Sequence, residues 1–147
     1  MFKIPNLETK IIAKKIYYFK SIDSTNLYAE KLAKKFCVGN ELIIADAQYA
    51  GIGRMNRKWV SPLGSNLYFS IILKPNIKLT SQITILPLLT GLVVVKVLQS
   101  HYNIITRIKW PNDVLIGQKK VCGILIENVL RGNTIDHSVI GIGLNVN

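Results

Sequence analysis

Hydrophobic and polar positions in the first third of the chain follow a helical period between two short strand-like runs. Apolar residues after the candidate caps Ser24 and Thr25 recur every three or four positions, which predicts an amphipathic helix ended by Gly39. These positions are Tyr28, Ala29, Leu32, Ala33 and Phe36. The β-prone runs 16–19 and 41–48 on either side predict two strands.

The β-prone run of residues 66–75 predicts a strand closed by Pro75. The apolar face of that strand consists of Leu67, Phe69, Ile71 and Leu73. A second helix is predicted within residues 81–101, where Pro87 either begins the regular part of the helix or kinks it.

From Thr106 onward the pattern consists of strands separated by the turn sequences PND, GQKK and RGNT. Strands outnumber helices and several are joined by hairpins, so we predict an α+β domain with a mixed, largely antiparallel sheet and helices packed on it. No linker or repeat divides the 147 residues, which indicates one domain. The last residues, GIGLNVN, still follow a strand pattern, so we expect the domain to be incomplete at its C-terminal end.

Composition agrees with a core-forming chain, because 49% of the residues are hydrophobic and 18% are charged. The longest apolar stretch is interrupted by Pro87, Gly91 and Lys96, and it is shorter than the roughly 20 clean apolar residues of a membrane span. The N-terminus has no apolar signal region. Cys37 and Cys122 form neither a disulfide framework nor a metal-ligand spacing, so we expect reduced thiols, a cytoplasmic location and no membrane partner.

The net charge of +11 favours anionic partners, namely nucleic acid, phosphorylated small molecules or an acidic protein. Part of this charge belongs to lysine-rich stretches that are typical of solvated helix and strand faces. A nucleic-acid-binding module is therefore one alternative, although the sequence has no helix-turn-helix, RRM or KH signature.

The stretch QYAGIGRMNRKW, Gln48 to Trp59, contains two glycines and the cations Arg54, Arg57 and Lys58, but no acidic residue. Backbone N–H groups of a glycine-containing loop, together with forked guanidinium groups, are suited to phosphate. The same stretch is compatible with an ordinary surface loop, and it matches neither the Rossmann fingerprint nor a P-loop.

Two further stretches, IKWPNDVL and QKKVCGILIE, combine charged and apolar residues at turns. In the first, Lys109 and Asp113 bring a cation and a carboxylate to a corner that is otherwise an ordinary turn. In the second, Lys120 lies where a polar turn enters an apolar strand, and Gly123 allows a ligand to approach the backbone. A lysine that snorkels from a hairpin explains the second pattern equally well.

The motifs SIDSTN, ADAQYAGIGRMNRKW, SPLGSNLYFSI, RIKWPNDVLI, KKVCGILIE and IGIGLNVN occur in this order, and with them the chain resembles the catalytic domain of biotin protein ligases from about Ile16 to its last residue. The resemblance implies activation of biotin by ATP and Mg²⁺ to biotinyl-5′-adenylate. It also implies transfer of biotin to a lysine of a biotin carboxyl carrier protein or domain of acetyl-CoA carboxylase. Neither the N-terminal helix-turn-helix nor the C-terminal β-barrel of some members is expected in this chain, so no DNA binding is expected, and a homodimer is left open.

The resemblance also implies roles for particular residues. The biotin head group is assigned to Ser24, Thr25, Asn26 and Gln48. A closing loop is assigned to Ile52, Gly53, Arg54 and Arg57, and the adenylate side to Lys109, Asn112, Asp113 and Asn145, the last also as a metal ligand. The apolar part of biotin is expected to contact Trp59, Gly123, Ile124 and Leu125. A ureido group has one acceptor and two donors, which short hydroxyls and amides satisfy.

The expected chemistry brings a carboxylate against a phosphate, and two unit charges 4 Å apart repel by about 4 kcal/mol at an effective dielectric near 20. Lys120 beside the biotin carboxylate and α-phosphate, Arg54, Arg57 and Mg²⁺ are expected to overcome this repulsion. Asp113 is expected to orient or deprotonate the incoming carrier lysine. We therefore predict Lys120, Arg54 and Asp113 as catalytic residues.

One departure is that Ile52 stands where the family commonly has a basic residue. Two alternatives to an active biotin ligase remain at this stage. A lipoate ligase has the same adenylate chemistry, and an inactive remnant of a biotin ligase has the same motifs.

Overall fold

A computed structural model describes residues 12–36, 39–74 and 81–146, and the predictions made at Cys37 and Pro75 lie outside these residues. The described strands form one seven-stranded sheet in the order β1-β2-β3-β7-β6-β5-β4. They are β1 Lys15–Phe19, β2 Glu41–Ala45, β3 Asn66–Leu73, β4 Arg107–Lys109, β5 Asp113–Ile116, β6 Lys119–Arg131 and β7 Thr134–Asn145.

Only the β1–β2 pair of this sheet is parallel, and every other neighbouring pair is antiparallel. The parallel pair is joined by helix α1, Thr25–Phe36, and the antiparallel pairs β4–β5, β5–β6 and β6–β7 follow one another along the chain. The predicted α+β domain with a mixed, largely antiparallel sheet is therefore confirmed.

The two helices pack on opposite faces of the sheet. Ala29 and Ala33 of α1 are buried against Ile43, Ile72 and Val139. Helix α2, Leu86–Tyr102, packs through Leu86, Val94 and Val95 against a second cluster that contains Val114, Cys122, Ile124, Ile140 and Ile142. Because strand residues alternate between faces, β3 and β7 contribute to both clusters.

Strand β3 shows this alternation directly. The predicted apolar face of Leu67, Phe69, Ile71 and Leu73 points toward α2 and lines an open apolar groove. Tyr68, Ser70 and Ile72 point toward α1 and are fully buried. The α1 face is the one that carries the polar residues of the candidate site.

Pro87 lies at the start of α2, after a 3-10 helix, Ser81–Ile85, so the first of the two predicted alternatives for this proline is correct. The helix ends at Asn103, whose left-handed backbone lets its N–H bond to the carbonyls of Gln99 and Leu98.

Helix α2 buries one side only. Leu89, Val93 and Val97 are 51%, 60% and 44% exposed, beside a groove of about 440 Å³ between the helix and the sheet. By length and composition alone, the segment Ile83–Tyr102, with a mean hydropathy of 1.8, is apolar enough to cross a membrane, contrary to the expectation from its interruptions. Only 6% of that window is buried, and α2 packs through one side on the second cluster.

The exposed side of α2 predicts that the isolated chain binds apolar dyes and self-associates. Replacing Leu89 and Val93 together with lysine is expected to lower dye fluorescence and association while changing the free energy of unfolding by only about 0.5 kcal/mol per site, as is usual for surface positions. Dye titration and sedimentation measure this. As a control, Leu98→Lys on the buried side of α2 is expected to unfold the chain, and equal effects of the two changes would contradict the packing described.

Candidate functional site

The segment from Gln48 to Trp59, hereafter the basic loop, folds back on itself as a narrow hairpin. The N–H of Trp59 donates to the carbonyl of Gly51 (2.9 Å), and the N–H of Gly53 donates to that of Arg57 (2.7 Å). The Gly53 N–H is therefore used within the loop.

The turn of the basic loop is made by Met55 and Asn56, which have positive φ angles of 55° and 57°. Close packing of the two arms, rather than the turn itself, requires glycine at position 51. A Cβ on Gly51 would lie 2.5 Å from the carbonyl oxygen of Trp59, so any larger residue would separate the two arms.

The basic loop places the indole of Trp59 in contact with glycines of two strands. A Cβ on Gly123 of β6 would lie 2.7 Å from the ring, and one on Gly143 of β7 would lie 2.6 Å from it. These two residues pair directly across β6 and β7. The indole Nε1 is buried and has no hydrogen-bond partner among the described residues. The side chain thus lies flat on the sheet only because glycine occupies both positions.

Lys120 also lies over this indole, with Nζ 4.9 Å from the ring centroid. The same Nζ is 2.7 Å from Oδ1 of Asp113, an atom for which the described residues offer no other partner. The Asn145 amide supports the lysine backbone by donating to its carbonyl (3.1 Å). An aromatic face and a carboxylate therefore hold the ammonium group at the edge of the cavity, where 39% of the lysine side chain is exposed.

Cys122 is adjacent in sequence but has no part in this chemistry. Burial raises the pKa of its thiol to about 12, and the nearby Lys120 charge opposes that shift only in part. A thiol with so high a pKa is protonated at neutral pH and is not a nucleophile.

The polar end of the site is organised around Thr25 at the start of α1. The Gln48 Oε1 atom accepts from the backbone N–H of Thr25 (2.8 Å) and lies 3.1 Å from its hydroxyl. Nε2 of Gln48 donates to Ser61 Oγ (3.0 Å), which fixes the orientation of the amide. The Asn26 amide donates from Nδ2 to Glu127 (2.8 Å), and its Oδ1 is 2.6 Å from the hydroxyl of Ser70.

Arg54 connects the basic loop to the turn between β4 and β5. Its Nη1 donates to Oδ1 of Asn112 (3.2 Å), whose Nδ2 donates in turn to the carbonyl of Ile124 (2.8 Å). The turn contains the cis peptide Trp110–Pro111. The arginine therefore crosses one side of the cavity, in reach of any anion bound beside Lys120.

These groups surround a cavity of about 60 Å³, small against the roughly 300–1,000 Å³ of typical ligand pockets. Its lining comprises Ser24, Thr25, Asn26, Gln48, Ile52, Gly53, Arg54, Trp59, Asn112, Lys120, Gly123, Ile124, Leu125, Gly141, Ile142 and Gly143. Entry of a small molecule thus requires movement of the basic loop or of the Trp59 and Arg54 side chains.

Most of the predicted site residues line this cavity, and five have side chains that lie elsewhere. Arg57 and Lys109 are exposed and do not line the cavity. Asp113 and Asn145 contact Lys120 from outside it. Ile124 borders the cavity, yet its side chain packs in the cluster on the α2 face, so it is a poor candidate for an apolar ligand contact.

Sequence reasoning missed Ser61, Ser70, Glu127, Gly141 and Gly143. A signal existed for the two glycines, since their i, i+2 spacing in GIGLN places both on one face of a strand. A second signal was the polar Ser70 within an otherwise apolar strand.

A resident metal is not supported by the described residues, in which no group of three or more His, Cys, Asp or Glu could hold an ion. Asn145, the predicted metal ligand, donates its amide N–H to the carbonyl of Lys120. The carboxylate of Asp113 forms an ion pair with the Lys120 ammonium.

Comparison with known proteins agrees with this geometry. Residues 18–145 match the model of the biotin/lipoate A/B protein ligase family. The bifunctional ligase/repressor BirA of Bacillus spizizenii is 41% identical over 143 residues, 96% of this chain and 43% of that protein. The biotin–[acetyl-CoA-carboxylase] ligase of Paracoccus denitrificans is 36% identical over 84% of this chain and 51% of its own length.

Among solved structures, the biotin protein ligase of Aquifex aeolicus in complex with biotin and ATP superposes with a TM-score of 0.74 at 40% identity, over 91% of this chain and 53% of that one. The chain thus belongs to the biotin/lipoate A/B protein ligase family. It spans about half the length of the relatives it matches.

Proposed function

We propose that this chain forms the biotin-activating site of a biotin protein ligase. The site would join biotin to ATP as biotinyl-5′-AMP and pass the biotin to a lysine of a biotin carboxyl carrier protein or domain. The observation that carries the proposal is the division of the cavity into a hydrogen-bonding end at Thr25 and a cationic end at Lys120, with the Trp59 indole between them. Biotin has the same order of groups, namely a ureido ring, an apolar chain and a carboxylate.

Hydrogen-bond accounting at the polar end supports a ureido ligand. The oxygen of the Gln48 amide is occupied by Thr25 and one of its N–H groups by Ser61, so the second N–H remains for a ligand acceptor. Ser24 is 2% exposed, and its hydroxyl has no hydrogen-bond partner among the described residues, so it is available to donate or accept. Together these groups match one carbonyl and one N–H of a ureido ring.

At the cationic end, Lys120 supplies the charge that a carboxylate attacking a phosphate requires. Oδ1 of Asp113 lies 2.7 Å from Nζ of Lys120 and neutralises its charge. An entering biotin carboxylate competes with Asp113 for Lys120, and Arg54 stands on the other side to contact the α-phosphate. Once released from Lys120, the Asp113 carboxylate is free to orient the carrier lysine for transfer.

The proposal assigns no metal-binding residue to this chain, because Mg²⁺ is usually held by substrate phosphates, water and only one or two carboxylates. The positive charge that the chain itself contributes comes from Lys120 and Arg54. Its net charge of +11 also favours encounter with an acidic carrier domain, and we place the reaction in the cytoplasm.

Calorimetry with biotin, followed by ATP and an assay for pyrophosphate, tests the proposal. We expect biotin binding and release of pyrophosphate only when both substrates are present. Lipoate, tested in parallel, distinguishes the other branch of the family. No biotin binding at millimolar concentration would leave family membership intact and contradict the proposed activity.

The departure at Ile52 gives a prediction about affinity. Ile52 lines the cavity, so Ile52→Arg is expected to add one charge-assisted hydrogen bond to the adenylate and to tighten its binding by about 1.5–3 kcal/mol, tenfold or more. Titration with a non-hydrolysable adenylate analogue measures this. Val60→Arg, at a 70% exposed position beside the same loop, is the matched control. Equal gains in the two variants would mean that only net charge matters.

A further inference from the structure

A chain of hydrogen bonds runs behind the cavity, through residues to which the proposed function assigns no role. Ser70 of β3 is fully buried, and its Oγ lies 2.6 Å from Oδ1 of Asn26 and 2.8 Å from Oγ1 of Thr25. Glu127 of β6 accepts a hydrogen bond from Nδ2 of the same Asn26 (2.8 Å). Asn26 is thus held at both ends of its amide by side chains from two different strands.

Counting the hydroxyl protons shows which group donates in each of these hydrogen bonds. Two hydroxyl protons, those of Thr25 and Ser70, serve three contacts between oxygen atoms, and the amide oxygens of Asn26 and Gln48 cannot donate. The two shortest contacts are both satisfied only if Ser70 donates to Asn26 and Thr25 donates to Ser70. The Gln48 oxygen keeps the backbone N–H of Thr25 at 2.8 Å.

Glu127 determines which end of the Asn26 amide faces Ser70. An ionised carboxylate accepts hydrogen bonds and cannot donate them, so it attracts the Nδ2 end and repels the Oδ1 end. If the amide rotated by half a turn, Oδ1 would face Glu127 and lose Ser70, its donor among the described residues. The sheet leaves no room for other positions, because Oδ1 lies only 2.0 Å from where a Cβ on Gly141 would be.

We infer that Ser70 and Glu127 are positioning residues that fix the amide of Asn26, so that it presents one N–H and one oxygen lone pair in a set orientation toward the cavity. Neither residue lines the cavity, and they act through Asn26 and Thr25, which do. For biotin recognition the inference rests on the proposed function, since it supposes that Asn26 faces the ureido ring.

The chain offers a matched control for Ser70. Ser138 of β7 is also fully buried, and its hydroxyl donates to an asparagine oxygen, Oδ1 of Asn128, at 2.7 Å. It lies on the α2 side of the sheet, in register with Leu73, and does not line the cavity. Ser138→Ala therefore removes a hydroxyl-to-asparagine bond from an equally buried serine without touching Asn26, whereas Ser70→Ala also removes a contact with Thr25.

The first experiment needs no ligand. NMR of the Asn26 side-chain amide, assigned through its loss in Asn26→Asp, is expected to show one N–H with slow solvent exchange. That protection should disappear in Glu127→Ala, persist in Glu127→Gln, which keeps an acceptor oxygen, and be unaffected in Ser138→Ala. Unchanged protection in Glu127→Ala would overturn the role of Glu127.

The second experiment measures affinity for biotin and for ATP by calorimetry. Ser70→Ala and Glu127→Ala are each expected to weaken biotin binding about fivefold, the usual effect of one hydrogen bond, while ATP affinity stays within twofold. Ser138→Ala should lower thermal stability by less than Ser70→Ala and leave biotin affinity unchanged. Equal biotin affinities of the two serine variants would overturn the role of Ser70. A parental chain that binds no biotin would instead overturn the proposed function, and the NMR result alone would then decide how Asn26 is held.

Discussion

Lys120→Met is expected to lower the rate of biotinyl-5′-AMP formation by about 100- to 1,000-fold, the usual loss when one group that stabilises developing charge is removed. The Lys120 ammonium lies at the edge of the cavity and has two partners, Asp113 at 2.7 Å and the centroid of the Trp59 ring at 4.9 Å. Methionine retains the apolar stem over the indole, so the change isolates the charge. Pyrophosphate release at saturating biotin and ATP measures the effect.

Lys119→Met is the control for this change, because Lys119 lies on the same strand, is exposed and does not line the cavity. Loss of the lysine also leaves the Asp113 carboxylate without its ion pair, so the melting temperature of both variants must be compared. If Lys120→Met forms adenylate at the parental rate while folded, Lys120 does not supply the charge that the reaction needs.

The fold was predictable where one residue pattern dominates an element. The period of two in β3 predicted that Leu67, Phe69, Ile71 and Leu73 share one face, and these residues line the α2 side. The helical spacing after Thr25 placed Ala29 and Ala33 in the core. Strand order was not predictable, because β7 pairs with β3 across 60 or more intervening residues, and no local pattern records such a partner.

The candidate site was predictable as a set of residues and less so as a geometry. Short motifs identified the polar and cationic groups, because together and in this order they resemble those of the biotin protein ligases. They did not show that Gly53 uses its N–H on Arg57, or that Arg57 itself points away from the cavity. Both facts follow from the path of a loop whose turn is made by Met55 and Asn56 rather than by its glycines.

The uncovered side of α2 lies on the opposite face of the sheet from the site, so the two surfaces can be tested independently. Substitutions at Leu89 and Val93 should change solubility without affecting ligand binding. Substitutions at Lys120 or Gly143 should change ligand binding without affecting the apolar groove.

Gly143→Ala is expected to destabilise the chain by about 1–3 kcal/mol, the usual cost of overpacking, and to weaken biotin binding at least about tenfold. A Cβ at this position would lie 2.6 Å from the Trp59 ring, which is rigid, so the ring as a whole must shift. The indole must therefore lift away from Gly123 as well, which moves the wall between the polar and cationic ends. Denaturant unfolding and biotin calorimetry measure the two effects.

Gly91→Ala in α2 provides the contrast for Gly143→Ala. Its Cβ would meet Ile124 and Ile108 at 3.6–3.8 Å, which is ordinary contact, and a glycine within a helix costs about 0.5–1 kcal/mol relative to alanine. This variant is thus expected to be more stable than the parent and to bind biotin unchanged. The same chemical change, one added methyl group, should have opposite signs at the two positions. If the two variants are equally stable, Trp59 does not rest on the strand glycines, and the division of the cavity that supports the proposed function is wrong.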